Sequence, residues 1–464
     1  MKKGDILLNI EAIDIASNGK AIAKHEGQVI FVNGLVPGDV ANVQIFKKRR
    51  KYAEGNYTSI QSYSSDRVEA KCVHFGICGG CKWQHLNYDK QLKYKQDQVA
   101  ENLKKLSGVQ LPEINPIIPS ERLYEYRNKL EFTFSNKSWL TEEEIKSGID
   151  FNDRNALGFH IPGRFDKVLD INECHLQAVI SNDVRNFIRT YSHEHLLTYF
   201  DLREQVGLLR NLIIRTTTTG ELMIILSITE WNDEIEKLMK ALMVRFKEIT
   251  SLNYVVNQKK NDTINDLEVI CYEGKSYIEE KMRDLTFKIG PKSFYQTNGP
   301  QAEILYKITS EMACFTGNEI VYDLYTGTGT IANYIAGKAK KVIGVEYVEE
   351  AIKDAEENSK INKIQNTSFY AGDMKDIITD SFFKENGSPD VIITDPPRSG
   401  MHPDVVEKLK NSGAKIIIYV SCNPATQARD LQVLDEKYKV VNVQPVDMFP
   451  HTAHVENVLK LALR

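Results

Sequence analysis

The sequence has no long apolar run. Its longest, such as Ile416 to Val420 and Leu222 to Ile228, fall far short of the roughly 18 residues that a membrane helix needs. A bilayer span is therefore not expected. The stretch Met1 to Ile10 lacks a secretory signal's features, because Asp5 interrupts its apolar run and no small-residue cleavage site follows. The expected location is the cytoplasm. Excess positive charge is missing too: 59 Lys and Arg against 63 Asp and Glu leave a net charge of −4. That balance excludes a uniformly basic surface, so any phosphate-binding surface must be local. The clearest candidate is the run Lys47, Lys48, Arg49, Arg50 and Lys51. Repeats and low-complexity tracts are also absent. Cysteine is sparse, and seven in an intracellular chain point to metal ligands, a catalytic group or core residues rather than a disulfide framework.

What is present suits a soluble, multidomain protein. With 42% hydrophobic and 26% charged residues over 464 positions, two or three domains of about 150 residues each are expected, in a chain read as a monomer. From residue 4 to about 65, apolar and polar positions alternate over short runs separated by Gly19, Gly27, Gly34 and Gly38, the pattern of a small β-barrel. The phrase GQVIFVNGLVPGDVANVQI resembles the TRAM domain, an OB-like RNA-binding barrel, which implies an RNA contact for residues 1–65. Residues 66–290 read as a central α+β domain. Its polar segment Asp89 to Leu106 reads as a helix that packs on the next domain, and GLLRNLIIRTTTTGELMIILSIT as a hairpin turning at Thr218 to Gly220. Residues 291–464 alternate seven apolar β-rich runs with amphipathic helices, a doubly wound α/β sheet whose last two strands form an antiparallel hairpin. That hairpin is characteristic of the Rossmann-like methyltransferase fold.

In this last domain VYDLYTGTGT places Gly327 and Gly329 where a first strand turns into a helix, the point at which a ligand crevice opens. Glu346 ends the next strand 19 residues beyond Gly327, suited to ribose hydroxyls, and Asp373 ends the third, near an adenine. A dinucleotide fold would want a third glycine where Ile331 and Ala332 follow Thr330, so S-adenosylmethionine is favoured over NAD. Three later strand ends carry Asp395 in IITDPPRSG, Cys422 in IIYVSCNPAT and Glu456 in DMFPHTAHVEN. Cys422 precedes Asn423-Pro424, which opens a helix whose N-terminus is expected to favour a thiolate.

SCNPATQARD and MFPHTAHVEN together resemble the signature segments of the RNA uracil-C5 methyltransferase family, which includes bacterial transfer-RNA and 23S ribosomal-RNA enzymes. The resemblance implies Cys422 as a nucleophile adding to uracil carbon 6 and Glu456 as acceptor of the carbon 5 proton. It places Gln296 of SFYQTN, Tyr325, Thr330, Glu346, Asp373 and Asp395 around the cofactor, and implies that Arg127 and Lys129 of YRNK face RNA. Thr326 stands where relatives often carry cysteine. Phe294 and Tyr295 are candidates to fill the gap left by an unstacked uridine.

Cys72, Cys78 and Cys81 form C-x5-C-x2-C, and Cys174 lies in INECHLQ. Spacing alone allows either an iron–sulfur centre or tetrahedral zinc. Resemblance to the ribosomal-RNA branch implies a [4Fe-4S] cluster, with Cys271 and Cys314 left as interior thiols. The expected activity is S-adenosylmethionine-dependent methylation of a uridine, in 23S rRNA by preference, with tRNA uridine 54 as the alternative. A noncatalytic RNA-binding scaffold and an NAD oxidoreductase are the readings from other classes.

Overall fold

In the barrel segment the alternation of apolar and polar residues closes a sheet on itself. The computed structural model describes residues 1–148 and 153–464. In it the strands Ile6–Ile15, Ala21–His25, Gln28–Asn33, Val40–Lys48 and Tyr52–Ser62 form a closed barrel. Its interior is filled by Ala12, Ala21, Ala23, Ile30, Val32, Ala41 and Val43, all fully buried. Small side chains predominate because five strands leave a narrow lumen. Register shifts along the last two strands bend them around the barrel.

The cysteine-bearing segment that follows has little regular structure and leads into the helix Tyr88–Asn102, capped by the Asn87 side chain. Its last turn widens into a π-helix, Leu103–Ser107, which Gly108 ends at φ 68°. A left-handed residue suits glycine at that stop. The helix is no simple linker. Its buried face carries Gln91, Lys95 and Val99, and Lys95 is ion-paired with Asp447 at 2.6 Å, both side chains fully buried.

Next comes a seven-stranded sheet in the spatial order Ile270–Gly274, Ile249–Val256, Leu222–Ile228, Leu209–Thr216, Lys129–Ser135, Ala156–Ile161, Arg164–Asp170. The expected hairpin is present, with Leu222 paired to Thr216. Helices Ile180–Glu194 and Asp233–Arg245 cover one face, where Val184, Ile188, Leu238 and Leu242 join one core with Leu212, Ile214 and Leu226. Ile213, Met223, Ile225 and Val255 on the other face belong to the core of the C-terminal domain. The two sheets therefore meet through apolar side chains, each worth about 1.5–3 kcal/mol when fully buried.

The C-terminal sheet consists of β1 (Ile320–Leu324), β2 (Lys341–Glu346), β3 (Thr367–Ala371), β4 (Val391–Thr394), β5 (Ile416–Ser421), β6 (Tyr438–Val446) and β7 (Glu456–Leu463). The spatial order is β3-β2-β1-β4-β5-β7-β6, parallel except for β7, which runs antiparallel to both β5 and β6. The order reverses between β1 and β4. In such sheets a crevice opens at the carboxyl ends of the strands flanking that reversal, here next to Tyr325 and Asp395. No helix among the described residues is long and apolar enough to cross a membrane.

Candidate active site

Strand register brings the reactive groups together. Ser421 pairs with Asn457 across β5 and β7, so the next step of this antiparallel ladder sets Cys422 opposite Glu456. Thr394 pairs with Tyr419 across β4 and β5, which brings Asp395 to the same edge. All three line one cavity of about 1440 Å3, together with Gln296, Tyr325, Gly327, Glu346 and Asp373. Gly329 and Thr330 lie behind its wall. A Cβ on Gly329 would sit 2.8 Å from that of Ala355, and the Thr330 hydroxyl lies 3.2 Å from the Tyr306 hydroxyl.

The glycine loop is built for backbone approach. Gly327 has φ 55° and open space where a Cβ would project, while Tyr325 is held at φ 63°, a strained conformation of the kind found at functional sites. The Glu346 carboxylate accepts from the amides of Gly327 at 3.2 Å and Val348 at 3.1 Å. Asp373 accepts from the Lys375 amide and pairs with its ammonium at 3.0 Å, a hydrogen bond that lowers the pKa of the carboxyl. Thr326 anchors the loop to the strand before it, its hydroxyl donating to buried Asp323 at 2.5 Å.

Around the thiol the electrostatics differ from the expectation. Asn423 does open the helix Pro424–Leu434, its side chain accepting from the Ala425 amide. Yet burial, then the negative charges of Glu456 and Asp395, push Cys422 up to about 11, while Arg398 acts the other way. Burial and Asp323 raise Asp395 to about 7, and burial and Asp395 raise Glu456 well above the carboxylate range. Each of the three groups is therefore harder to ionise here than in water.

Sequence reasoning passed over Arg398, Phe449 and His454, which line the same cavity. Arg398 approaches the His454 ring at 2.6 Å, and its carbonyl accepts from Asn423 Nδ2 at 3.0 Å, tying the Asp-Pro-Pro turn to the helix that begins after Cys422. Enclosure and then Arg398 push His454 down to about 4, so it is neutral. Each stands inside a motif already quoted, but no periodicity marks them. Of the aromatic pair, Phe294 is 65% exposed on the cavity wall, whereas Tyr295 is buried against Phe287 and cannot enter a base stack.

Cys72, Cys78, Cys81 and Cys174 line a separate cavity of about 330 Å3 and form no disulfide. Among the described residues, no group of three or more His, Cys, Asp or Glu side chains is arranged to hold a metal ion. Arg127 and Lys129 line this cavity too. In the barrel, Lys47 is paired with Glu54 and Lys48 bonded to Gln28, which leaves Arg49, Arg50 and Lys51 exposed at the turn. Cys314 is a correction: it is exposed at a helix end with φ 54°, and Lys460 donates to its sulfur. Cys271 is only partly buried.

Residues 214–463 match the tRNA (uracil-5-)-methyltransferase family model, and residues 6–57 match the TRAM domain. The chain belongs to the tRNA (uracil-5-)-methyltransferase family. This S-adenosylmethionine-dependent RNA methyltransferase is 57% identical over 454 residues to an uncharacterised RNA methyltransferase of Bacteroides thetaiotaomicron, covering 97% of this chain and 100% of that protein. A second relative, of Porphyromonas gingivalis, is 54% identical over 462 residues, with 97% and 99% covered. Among solved structures, the Pyrococcus abyssi tRNA (uracil-54, C5)-methyltransferase in complex with S-adenosyl-L-homocysteine superposes with a TM-score of 0.76 at 28% identity, over 98% of this chain and 100% of that one. The TRAM match and this neighbour accord with the barrel and sheet topology of the methyltransferase.

Proposed function

We propose that this methyltransferase modifies carbon 5 of a uridine through a transient bond between Cys422 and carbon 6, with 23S ribosomal RNA as substrate. The observation that carries the mechanism is the register placing Cys422 opposite Glu456 in one cavity with Asp395. The open space over Gly327 and the carboxylate of Glu346 beside it fit S-adenosylmethionine, with Gln296, Tyr325, Asp373 and Asp395 completing its walls. Bound there, it would supply an electrophilic methyl group.

The chain's own residues carry the rest of the chemistry. The Cys422 thiol loses its proton to solvent and Sγ bonds to carbon 6, moving the ring's π electrons toward the carbon 4 oxygen and making carbon 5 nucleophilic. Once carbon 5 is methylated, the Glu456 carboxylate removes its proton. The electrons restore the carbon 5–carbon 6 double bond and expel the thiolate. Arg398 favours the ionised form of both Cys422 and Glu456, so its charge supports both steps. A cationic sulfonium near Asp395 would pull these groups toward ionisation as well.

The four cysteines suit an iron–sulfur cluster by donor type, as four free thiols lining a common cavity, although they are not gathered into a ligand set among the described residues. We assign them to a [4Fe-4S] cluster acting as a clamp between the segment before the long helix and the central sheet. No step of methyl transfer runs through it. Their likeness to the cysteines of the ribosomal branch supports 23S rRNA. The Pyrococcus neighbour, named for tRNA uridine 54, favours tRNA as a second reading. Cys422→Ala is expected to abolish methylation while S-adenosylmethionine binding persists, and full activity in that variant overturns the covalent mechanism. Mapping 5-methyluridine in ribosomal and transfer RNA from cells with and without the gene separates the two substrates.

A further inference from the structure

A third cavity, a groove of about 500 Å3, lies where the barrel meets the cysteine-bearing segment, and it shares no residue with the catalytic cavity. Its walls include Tyr57, Tyr63 and Val68, which are 43%, 69% and 40% exposed. The rings are held in place. A Cβ on Gly34, at φ 76°, would come within 2.9 Å of the Tyr57 ring, so glycine is what lets that ring lie on the barrel's backbone. The guanidinium of Arg67 lies 5.7 Å from the centre of the Tyr63 ring, fixed by the fully buried carboxylate of Asp39 and by the Gly34 carbonyl at 3.0 Å.

His85 also lines the groove and is only 6% exposed, its ring against Phe75 at 4.8 Å. The backbones of Gly34 and Leu35 reach the imidazole as hydrogen-bonding neighbours, and both ring nitrogens are shut off from solvent. Phosphate suits the place poorly, because the charge of Arg67 is already matched by Asp39.

We propose that this groove is an RNA subsite that stacks one unpaired nucleobase on its tyrosine rings. Every base has a π-face, and aromatic side chains on barrel folds take unstacked bases in this way. The exposed Arg49, Arg50 and Lys51 lie at the turn that begins the strand carrying Tyr57, so backbone phosphates and a base can be met along one ribbon. The proposal rests on the reading of the chain as an RNA-modifying enzyme, and it adds a contact away from the reacting uridine.

The test uses the full chain with Tyr57→Ala, Tyr63→Ala, the double variant and the double Phe variant. Fluorescence anisotropy with single-stranded polyuridine and polyadenine oligonucleotides at fixed salt gives affinity independently of methylation. S-adenosylmethionine calorimetry reports whether the fold and catalytic cavity are intact. Each alanine is expected to weaken binding by about tenfold, as loss of a stacking platform does, while the Phe variant binds nearly as well as the parent. Photocrosslinking of 4-thiouridine RNA to the unaltered protein should label residues 52–71. Unchanged affinity in the double alanine variant, or crosslinks confined to other segments, overturns the subsite and leaves the Cys422 mechanism untouched.

Discussion

At the scale of single residues, Cys422 faces two carboxyl groups that oppose its ionisation and one guanidinium that favours it. Its pKa of about 11 means that alkylation of the cofactor-free enzyme by iodoacetamide should be slow near neutrality and rise about tenfold per pH unit toward that value, because only the thiolate reacts. Arg398→Ala removes a charge that stabilises the thiolate, so its pKa moves further up and alkylation at about pH 8 falls. A rate that is insensitive to both pH and Arg398 contradicts this account. Glu456→Gln is expected to stop the reaction after methyl transfer, since a carboxamide cannot take the carbon 5 proton. Turnover should drop by about 10²- to 10⁴-fold, and a protein–RNA adduct should persist on a denaturing gel. These positions were legible in the sequence because strand ends carrying Asp, Cys and Glu stand out against apolar runs. Arg398 and His454 were not, since their roles come from a contact across 56 positions that no local pattern encodes. The upward shift of the thiol was hidden for the same reason, because burial and neighbouring charge are products of packing.

At the scale of elements, the helix Tyr88–Asn102 governs the loop between β6 and β7. Lys95 donates to Asp447 at 2.6 Å and to the Phe449 carbonyl at 3.0 Å. Gln91 accepts from the His451 amide at 2.8 Å, and Tyr88 donates to Asp447 at 2.9 Å. That loop bears Phe449 and His454 and ends at Glu456. Removing one partner of a buried ion pair leaves the other charge unmatched, at a cost of about 3–5 kcal/mol. Lys95→Met should therefore lower Tm markedly and depress kcat, and adding Asp447→Asn should recover part of the stability, as a thermal melt would show. A single variant that melts with the parent protein would mean that the pair contributes nothing. The sequence revealed the helix by its polar run from Asp89 to Leu106, and the β-hairpin by its turn residues Thr218 to Gly220. It did not reveal the helix's partner: Lys95 and Asp447 lie 352 positions apart, and each reads in isolation as an ordinary solvated charge.

For the whole molecule, the barrel and the doubly wound sheet were readable because alternation and strand–helix periodicity are local. How the modules meet was not. Arg127 is where this matters most. It lines the cysteine cavity, and its guanidinium lies 5.2 Å from the centre of the Phe449 ring on the wall of the catalytic cavity. Its neighbour Tyr126 donates to the Pro450 carbonyl at 2.9 Å. These contacts connect the wall of the cysteine cavity to the loop before Glu456, although the two cavities share no residue. If the four thiols hold the proposed cluster, Cys174→Ser, which removes the one distant thiol, should lower iron content and Tm and raise KM for RNA. The Kd for S-adenosylmethionine should change little, because Glu346, Gly327 and Asp373 belong to strands and turns on the far sheet. An equal loss of RNA and cofactor binding would instead point to general unfolding. Full retention of both would show that the cysteine cavity has no hold on the catalytic loop.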